Sequence, residues 1–330
     1  MGRRSALDTG LVADIGATNA RFALVLPDGA TTPPRVYALD DYPSLFAALD
    51  AYLAAEAPPA RPTQAVLAVA SAITDDEVTL TNHPWEFSVK ELRARMGLTR
   101  LRVINDFAAT ALGVPQLGEN DRVQIGPGTP VRHAPTGIIG PGTGLGVSAL
   151  VPASGGAVAI ASEGGHVTMT PANAQESAIL DLMRGRYDHV SAERLLSGPG
   201  LVNLYNALCE LAHAPAAPFA PAQITSRRVW DEDPRAREAT VIFCAMLGTV
   251  AGNLALTLGA RGGIYIAGGI VPRFSEFFAQ SEFRWRFEAK GRLREYLAAI
   301  PTYLVMHPFP ALLGATALLR EPSNDLQIPA

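Results

Sequence analysis

Three glycine-rich turns in the sequence have the composition of phosphate-binding loops. They are DIGATN at residues 14–19, GPGTGLG at 140–146 and AGG at 267–269. Glycine allows backbone N–H groups to approach a phosphate closely, and Thr18 and Thr143 add hydroxyl donors to the first two turns. Neither of these turns fits the dinucleotide-binding pattern GxGxxG, because Leu145 stands where the last glycine is needed. One such turn alone is usually only a turn, but three together favour a phosphate cradle.

Two aspartates follow predicted strands and could do chemistry beside bound phosphates. Asp14 ends an apolar stretch, where its carboxylate could hold Mg²⁺ through water or could instead cap the turn. Asp106 ends the strand RVIND, at the edge where open α/β sheets bind ligands. Its carboxylate could accept a proton from an attacking hydroxyl while Asn105 hydrogen-bonds sugar hydroxyls. Alternatively, the two side chains could only cap the following helix.

A second group of polar residues suits the recognition of vicinal hydroxyls. The segment SEGGH, residues 162–166, places Glu163 and His166 around two glycines. A surface turn or half of a metal site is the alternative, but the sequence has no matching cluster of metal ligands. Glu193 begins a predicted helix, where its carboxylate also suits the helix dipole. Together with the three turns, these residues predict a site at which a nucleotide phosphorylates a polyol.

Composition excludes several other classes of protein. The chain has 330 residues, with 27 basic against 31 acidic side chains, so its charge of −4 offers no basic surface for nucleic acid or anionic membranes. Two cysteines exclude a disulfide framework and indicate a reducing compartment. No P-loop, GxSxG or HExxH motif occurs, and no signal-peptide pattern is present. Residues 239–260 carry no charge and are long enough to span a membrane, but we predict a buried core helix there.

The order of predicted elements is that of an α/β protein. Strands are predicted at 11–14, 21–26, 64–70 and 101–104, the first two as a hairpin, and helices at 42–57, 88–96, 176–184, 192–211 and 311–319. Residues 212–223 are predicted to form a surface loop. Shifting the chain by 126 residues aligns Gly16 with Gly142 and Ala23–Val25 with Ala149–Val151. This weak internal echo predicts two similar hairpins, one in each half.

These motifs resemble those of the bacterial ATP-dependent glucokinases of the non-repressor type. The similarity runs through nearly the whole chain and includes TNHPW, INDFAA, EGGHV, HVSAERLLSGPGLVNLY and GGIYIAGGIVPRF. It implies the two-domain α/β fold of actin-like ATPases (ribonuclease H-like), with a central cleft, a small domain of residues 1–115 plus 311–330 and a large domain of 116–310. It also implies a cytoplasmic homodimer that phosphorylates D-glucose with ATP and Mg²⁺, the first step of glycolytic glucose use.

The resemblance also implies roles for individual residues. The first phosphate loop would comprise Ala13, Asp14, Ile15, Gly16, Ala17 and Thr18, with Asp14 near Mg²⁺. Thr143 and Gly144 would lie in the second loop, and Gly268 and Gly269 near adenosine. Asn105, Asp106, Glu163, His166 and Glu193 would hold glucose, with Asp106 as the general base on its 6-hydroxyl. Two positions depart from the family: Ala17 replaces a usual glycine, and Ser162 stands where glycine is common. Ala17 would weaken nucleotide binding only if that position needs a positive φ.

Other functions on the same fold remain as alternatives. A sugar-sensing regulator is disfavoured, since only ten residues precede LVADIG and two cysteines cannot supply the zinc motif of the related repressor and kinase family. A kinase for mannose or glucosamine stays open, because the stereochemistry of one hydroxyl is decided by pocket geometry. The donor also stays open, since glycine turns bind phosphates and do not distinguish ATP from polyphosphate.

Overall fold

The computed structural model describes residues 8–154 and 156–321, which form two compact units. The first unit contains the described residues up to 117 together with those from 309 onward, and the second contains residues 118–308.

The bounds of the strands and helices are as follows. The strands are β1 (Gly10–Ile15), β2 (Asn19–Val25), β3 (Arg35–Ala38), β4 (Gln64–Val69), β5 (Glu77–Thr79), β6 (Glu86–Ser88), β7 (Arg100–Asn105), β8 (Arg122–Gln124), β9 (Thr136–Pro141), β10 (Leu145–Ala153), β11 (Gly156–Ser162), β12 (Gly263–Ile266) and β13 (Thr302–Val305). The helices are α1 (Leu45–Glu56), α2 (Val89–Met96), α3 (Asp106–Gly113), α4 (Ala174–Arg184), α5 (Gly198–Leu211), α6 (Pro221–Ile224), α7 (Arg227–Glu232), α8 (Pro234–Leu258), α9 (Ser275–Ala279), α10 (Phe283–Glu288), α11 (Arg294–Ala298) and α12 (Pro310–Arg320).

The first unit is built on a five-stranded sheet in the order β3-β2-β1-β4-β7. Strands β1 and β2 form the predicted antiparallel hairpin, while β1, β4 and β7 run parallel. Alternate residues of β1 point to opposite faces: Leu11 packs in the core with Tyr52 of α1, and Val12 packs with Leu312 and Ala315 of α12. The buried sheet therefore carries helices on both faces, as the predicted α/β class requires.

The sheet of the second unit repeats this plan, with the order β11-β10-β9-β12-β13-β8. Its first three strands form an antiparallel meander, and β9, β12 and β13 run parallel, as β1, β4 and β7 do. The predicted echo is confirmed as two hairpins, because Gly16 and Gly142 both lie in the turn that joins the paired strands. Strand β8 adds an antiparallel edge that the first sheet lacks.

Helix α8 is the long apolar segment, and the prediction of a core helix is confirmed. By length and composition it could cross a membrane, but 61% of its most apolar window is buried inside the protein. Phe243 and Leu247 are fully buried in the core of the second unit. Its GxxxG spacing serves helix packing, since a Cβ at Gly248 would lie 2.2 Å from the carbonyl oxygen of Phe283 in α10.

One helix prediction was wrong in its extent. Residues 192–211 do not form one helix: a 3₁₀ turn at Ala192–Arg194 is followed by a break, and α5 begins at Gly198. Ser197 caps α5, because its hydroxyl accepts a hydrogen bond from the N–H of Gly200 at 3.0 Å. Pro199 occupies the first turn, where its missing N–H has no consequence. The predicted surface loop at 212–223 likewise ends in the short helix α6.

Helices α3 and α12 of the first unit approach until their backbones touch. A Cβ at Gly314 would lie 1.8 Å from the carbonyl oxygen of Ala109, and one at Gly113 would lie 2.2 Å from that of Pro310. Only glycine permits this separation. The contact therefore joins the end of the described chain to the helix that begins at Asp106.

A buried ion pair joins two distant segments of the second unit. Arg286 of α10 donates to both carboxylate oxygens of Glu176, at 2.6 and 3.1 Å, and the two side chains are 5% and 2% exposed. The carboxylate also accepts a hydrogen bond from the N–H of Ala172 at 2.7 Å, and the guanidinium donates to Thr249 at 2.8 Å. With its partners in place the pair is satisfied, but either charge alone would be buried without compensation.

We predict that Arg286→Met lowers the free energy of unfolding of the second unit by about 3–5 kcal/mol, because Glu176 is left as an unpaired buried charge. Adding Glu176→Gln should recover part of the loss, since it removes that charge and retains an acceptor. Chemical denaturation followed by circular dichroism measures both effects. The matched control is Arg228→Met, which breaks a pair whose side chains are 87% and 65% exposed and should change stability by less than about 0.5 kcal/mol. Equal effects of Arg286→Met and the control would contradict the assignment.

Candidate active site

In the first unit, the first glycine turn and the Asn105–Asp106 pair leave the same edge of one sheet. Strands β1, β4 and β7 are parallel, with Ile15, Val69 and Asn105 aligned at their carboxyl ends. Neighbouring strands lie about 4.8 Å apart, which places the ends of β1 and β7 about 10 Å from each other. The topology therefore brings the turn to the same edge of the sheet as Asp106, which the sequence had placed at a ligand-binding strand end.

Asn105 is the N-cap of α3, and Asp106 is the first residue of the helix. The Oδ1 atom of Asn105 accepts hydrogen bonds from the N–H groups of Phe107 and Ala108, at 2.9 and 3.1 Å. Its amide nitrogen donates to the carbonyl oxygen of Ser71 at 3.3 Å. The carboxylate of Asp106 accepts a bond from Phe107 N–H at 2.9 Å. Capping therefore falls mainly on Asn105, while the helix N-terminus stabilises a negative charge on Asp106.

Asp14 forms an ion pair with Arg21 of the opposite strand. The two residues face each other in the β1–β2 register, and Nη1 of Arg21 lies 3.1 Å from Oδ2 of Asp14. Burial raises the pKa of Asp14 above its ordinary value, and the nearby Arg21 charge offsets part of that rise. No sequence motif marked Arg21 as part of this site, although the predicted hairpin already places residues 14 and 21 across from each other.

The first turn presents mainly backbone to a ligand. The side chains of Ala13 and Ile15 are fully buried in the core, whereas Thr18 is exposed. The N–H of Gly16 closes the turn by donating a hydrogen bond to the carbonyl oxygen of Asn19 at 3.0 Å. Ala17 has a negative φ, so the alanine at this position introduces no left-handed strain.

In the second unit, Glu193 holds the second glycine turn. Its Oε2 atom accepts a hydrogen bond from the N–H of Leu145 at 2.8 Å. A side chain at Gly144 would collide with it, because a Cβ there would lie 2.4 Å from the same oxygen. The N–H of Gly198, at the start of α5, also donates to the carbonyl of Gly142 at 2.8 Å. The sequence did not predict this contact between Glu193 and the turn, because 48 residues separate Glu193 from Leu145.

The segment that carries Glu163 and His166 packs against the same turn. The backbone of Gly165 lies so close to Leu145 that a Cβ would be 1.9 Å from its carbonyl oxygen. Both polar side chains are exposed, and the N–H of His166 donates to the Glu163 carbonyl at 2.9 Å. Thus the backbone of the segment that carries Glu163 and His166 and the carboxylate of Glu193 both contact one turn, although they lie in two separate segments of the chain.

The third glycine turn lies beside the second. Gly268 has a φ of +84°, and a Cβ there would lie 2.3 Å from the carbonyl oxygen of Pro141, the last residue of β9. Gly269 has no atom within 4 Å of such a Cβ, and Thr143 is exposed. Two glycine turns with open space therefore meet at the carboxyl edge of the second sheet, where α/β proteins bind ligands.

Direct metal binding has little support in the part of the chain that the structure describes. No group of three or more His, Cys, Asp or Glu side chains there could hold a metal ion. The alternative of half a metal site at Glu163 and His166 therefore gains no further ligand among these residues.

Comparison with known proteins identifies the family. The family model described as Glucokinase matches residues 11–322. The glucokinase of Paramagnetospirillum magneticum is 53% identical over 95% of this chain and 98% of its own length, and that of Nitrobacter hamburgensis is 51% identical over 94% and 97%. Among solved structures, a glucokinase from an Antarctic psychrotroph matches with a TM-score of 0.84 and 37% identity, covering 95% of this chain and 99% of that one.

More distant structures share the fold. The glucokinase of Balamuthia mandrillaris, solved in complex with glucose, matches with a TM-score of 0.83 at 22% identity over 97% of this chain and 96% of that one. A ROK-family glucokinase from Streptomyces griseus, solved with glucose and AMPPNP, reaches a TM-score of 0.64 at 19% identity, over 95% of this chain and 100% of that one. The α/β fold of actin-like ATPases, expected from the sequence, is thus confirmed. The chain belongs to the glucokinase family, whose enzymes phosphorylate glucose, and is distinct from the ROK family.

Proposed function

We propose that this glucokinase transfers the γ-phosphoryl group of ATP to the 6-hydroxyl of D-glucose, the first step of glycolytic glucose use, with Asp106 as general base. The observation that carries the proposal is the shared sheet edge in the first unit, where Asp106 and the first phosphate turn follow two parallel strands, β7 and β1, that are separated only by β4. A helix N-terminus favours the negative charge of a carboxylate, and a carboxylate in that form can accept the hydroxyl proton. The same edge offers the turn's N–H groups to the phosphates.

Sugar binding is assigned to Asn105, Glu163, His166 and Glu193, together with Asp106. One N–H of the Asn105 amide donates to the Ser71 carbonyl, so its second N–H is available to a sugar hydroxyl. Glu193 bonds the second turn through Oε2, which leaves Oε1 for a hydroxyl. This arrangement would make Glu193 a link between the bound sugar and the phosphate turn, so that each helps to orient the other.

Nucleotide binding is assigned to the glycine turns. The first turn would bind phosphate through Ala13 to Thr18, the second through Thr143 and Gly144, and Gly268 and Gly269 would lie against adenosine. The exposed hydroxyls and the open space at Gly269 support these roles. Positioning and electrostatic stabilisation would then supply most of the rate acceleration.

Mg²⁺ fits this site only through water, with Asp14 as its anchor. Arg21 hydrogen-bonds Oδ2 of Asp14, so Oδ1 is the oxygen that would accept from a metal-bound water. Burial raises the pKa of Asp14, and a nearby cation would counteract this by favouring the ionised carboxylate. When bound, Mg²⁺ would neutralise charge on the phosphates.

We further propose that the enzyme acts in the cytoplasm as a homodimer, without nucleic-acid or membrane partners. The resemblance to glucokinases supports the homodimer and the compartment. The net charge of −4 and the burial of α8 support the absence of the other partners.

We predict that Asp106→Ala lowers kcat by about 10²–10⁴-fold, because the proton acceptor is lost, while glucose still binds weakly. Steady-state kinetics with coupled ADP detection measure the rate, and equilibrium titration with glucose measures binding. Asp50→Asn, an exposed aspartate on α1 of the same unit, is the control and should leave kcat unchanged. Near-normal turnover of Asp106→Ala would remove Asp106 from the mechanism.

Substrate identity has its own test. ADP release from Mg·ATP should be fastest with glucose and much slower with mannose, fructose or glucosamine, and close to zero without sugar. Higher kcat/KM for another hexose would keep the mechanism and change the substrate. Turnover with polyphosphate in place of ATP would overturn the proposed donor.

A further inference from the structure

The chain between β4 and α2 forms a small hairpin beside the carboxyl edge of the first sheet. Strands β5 and β6 pair antiparallel, and the turn at residues 80–85 that joins them contains the TNHPW motif. Strand β4 lies between β1 and β7 in the sheet. The segment that leads into the hairpin therefore leaves the sheet between the first phosphate turn and Asn105.

Two consecutive residues of this segment join the ends of the strands on either side. The N–H of Ala70 donates a hydrogen bond at 2.9 Å to the carbonyl oxygen of Ile15, the last residue of β1. The carbonyl oxygen of Ser71 accepts one at 3.3 Å from the side-chain amide of Asn105, the last residue of β7. The backbone at residues 70–71 thus connects the strand that precedes the phosphate turn with the amide that is assigned to sugar binding.

The carbonyl of Ser71 sets the direction in which the Asn105 amide can donate. The Oδ1 atom of Asn105 is held by the first N–H groups of α3, and one amide N–H is held by the Ser71 carbonyl. Because the amide group is planar, these contacts together fix the direction of its second N–H, which is the donor assigned to the sugar. A shift of the Ser71 carbonyl therefore turns that donor away from its target.

The hydroxyl of Ser71 anchors this carbonyl to the hairpin. It donates a hydrogen bond at 2.7 Å to the carbonyl oxygen of Thr79, the last residue of β5. The hairpin is itself part of the core of the first unit, since Val78, Leu80 and Trp85 are only 1%, 4% and 3% exposed. The serine side chain therefore ties residues 70–71 to a well-packed element.

The same hairpin is also connected to the first phosphate turn. The indole N–H of Trp85 donates to the carbonyl oxygen of Tyr42 at 3.0 Å. Three residues earlier, the N–H of Leu39 donates to the carbonyl oxygen of Thr18 in the turn, also at 3.0 Å. These contacts between hairpin and turn do not pass through Ser71, so a change of its side chain leaves them in place.

We propose that Ser71 is a positioning residue for the acceptor sugar. Its hydroxyl, bound to the β5–β6 hairpin, holds its own carbonyl where that carbonyl aims the second amide N–H of Asn105 at a sugar hydroxyl. The inference rests on the sugar-binding role proposed for Asn105 and adds the group that orients it. Because the phosphate turn is held by other contacts, the effect of Ser71 falls on the sugar and not on the nucleotide.

We predict that Ser71→Ala raises KM and Kd for glucose by about three- to tenfold, the size of one lost hydrogen bond, and leaves KM for ATP within about twofold. Ser71→Thr retains the hydroxyl and should restore the wild-type values. Steady-state kinetics with coupled ADP detection measure both KM values, and isothermal titration calorimetry measures glucose binding. An unchanged KM for glucose in Ser71→Ala, or an equal rise in KM for ATP, overturns the proposal.

The control removes a hydroxyl from the far end of the same hairpin. Ser88 donates to Oδ2 of Asp76 at 2.7 Å, and Ser88→Ala should lower stability in chemical denaturation without changing KM for glucose. If Ser88→Ala raised KM for glucose as much as Ser71→Ala, general loosening of the hairpin would explain both effects, and Ser71 would have no positioning role.

A double-mutant cycle tests whether Ser71 acts through Asn105. Asn105→Ser keeps an oxygen that can cap α3 but removes the amide donor, and should raise KM for glucose by about tenfold. Adding Ser71→Ala to this variant should change KM by less than about twofold, because the group that Ser71 orients is gone. Fully additive effects would overturn the positioning role and leave that of Asn105 intact. A wild-type KM in Asn105→Ser would overturn the sugar-binding role of Asn105, and the role of Ser71 with it.

Discussion

The contact between α3 and α12 fixes the geometry of the first unit, because nothing larger than hydrogen fits between the two backbones at Gly314. Helix α12 also covers the sheet face formed by Val12 and Val66, so one helix packs on the sheet and on α3 together. Helix α3 starts directly from the end of β7. Its first residue, Asp106, is thus positioned by the strand that precedes it and by the packing of α3 against α12.

In the second unit, contacts between backbone atoms position the candidate site residues, in place of the helix packing that does so in the first unit. Its glycine turns touch each other and the segment of Glu163 and His166 through backbone atoms, and the Glu193 carboxylate bonds a backbone N–H of the second turn. Backbone contacts have few rotational degrees of freedom, so a site assembled from them is preorganised before any ligand binds. Sequence variation in the surrounding side chains then has little influence on the position of the turns.

The parts of this structure that could be predicted from the sequence were those set by local periodicity and by strand ends. The β1–β2 hairpin and the placement of Asp106 at a strand end follow from patterns a few residues long, and α8 as a core helix follows from one uninterrupted uncharged segment, residues 239–260. The sequence NDF cannot by itself assign the cap, because Asn105 and Asp106 are equally good caps and only backbone geometry distinguishes them. The ion pair of Arg286 with Glu176 joins residues 110 apart, and no local signal indicates such a pairing.

The two units differ in how the chain supplies them. Residues 118–308 of the second unit are continuous, whereas the first unit needs α12, which follows all of the second in the sequence. During synthesis from the N-terminus, the second unit can complete its core while the first still has the Val12 face of its sheet uncovered. The order of assembly therefore reverses the order of the sequence, because the unit that begins first is finished last. Until α12 leaves the ribosome, the nascent chain must shield an apolar sheet face.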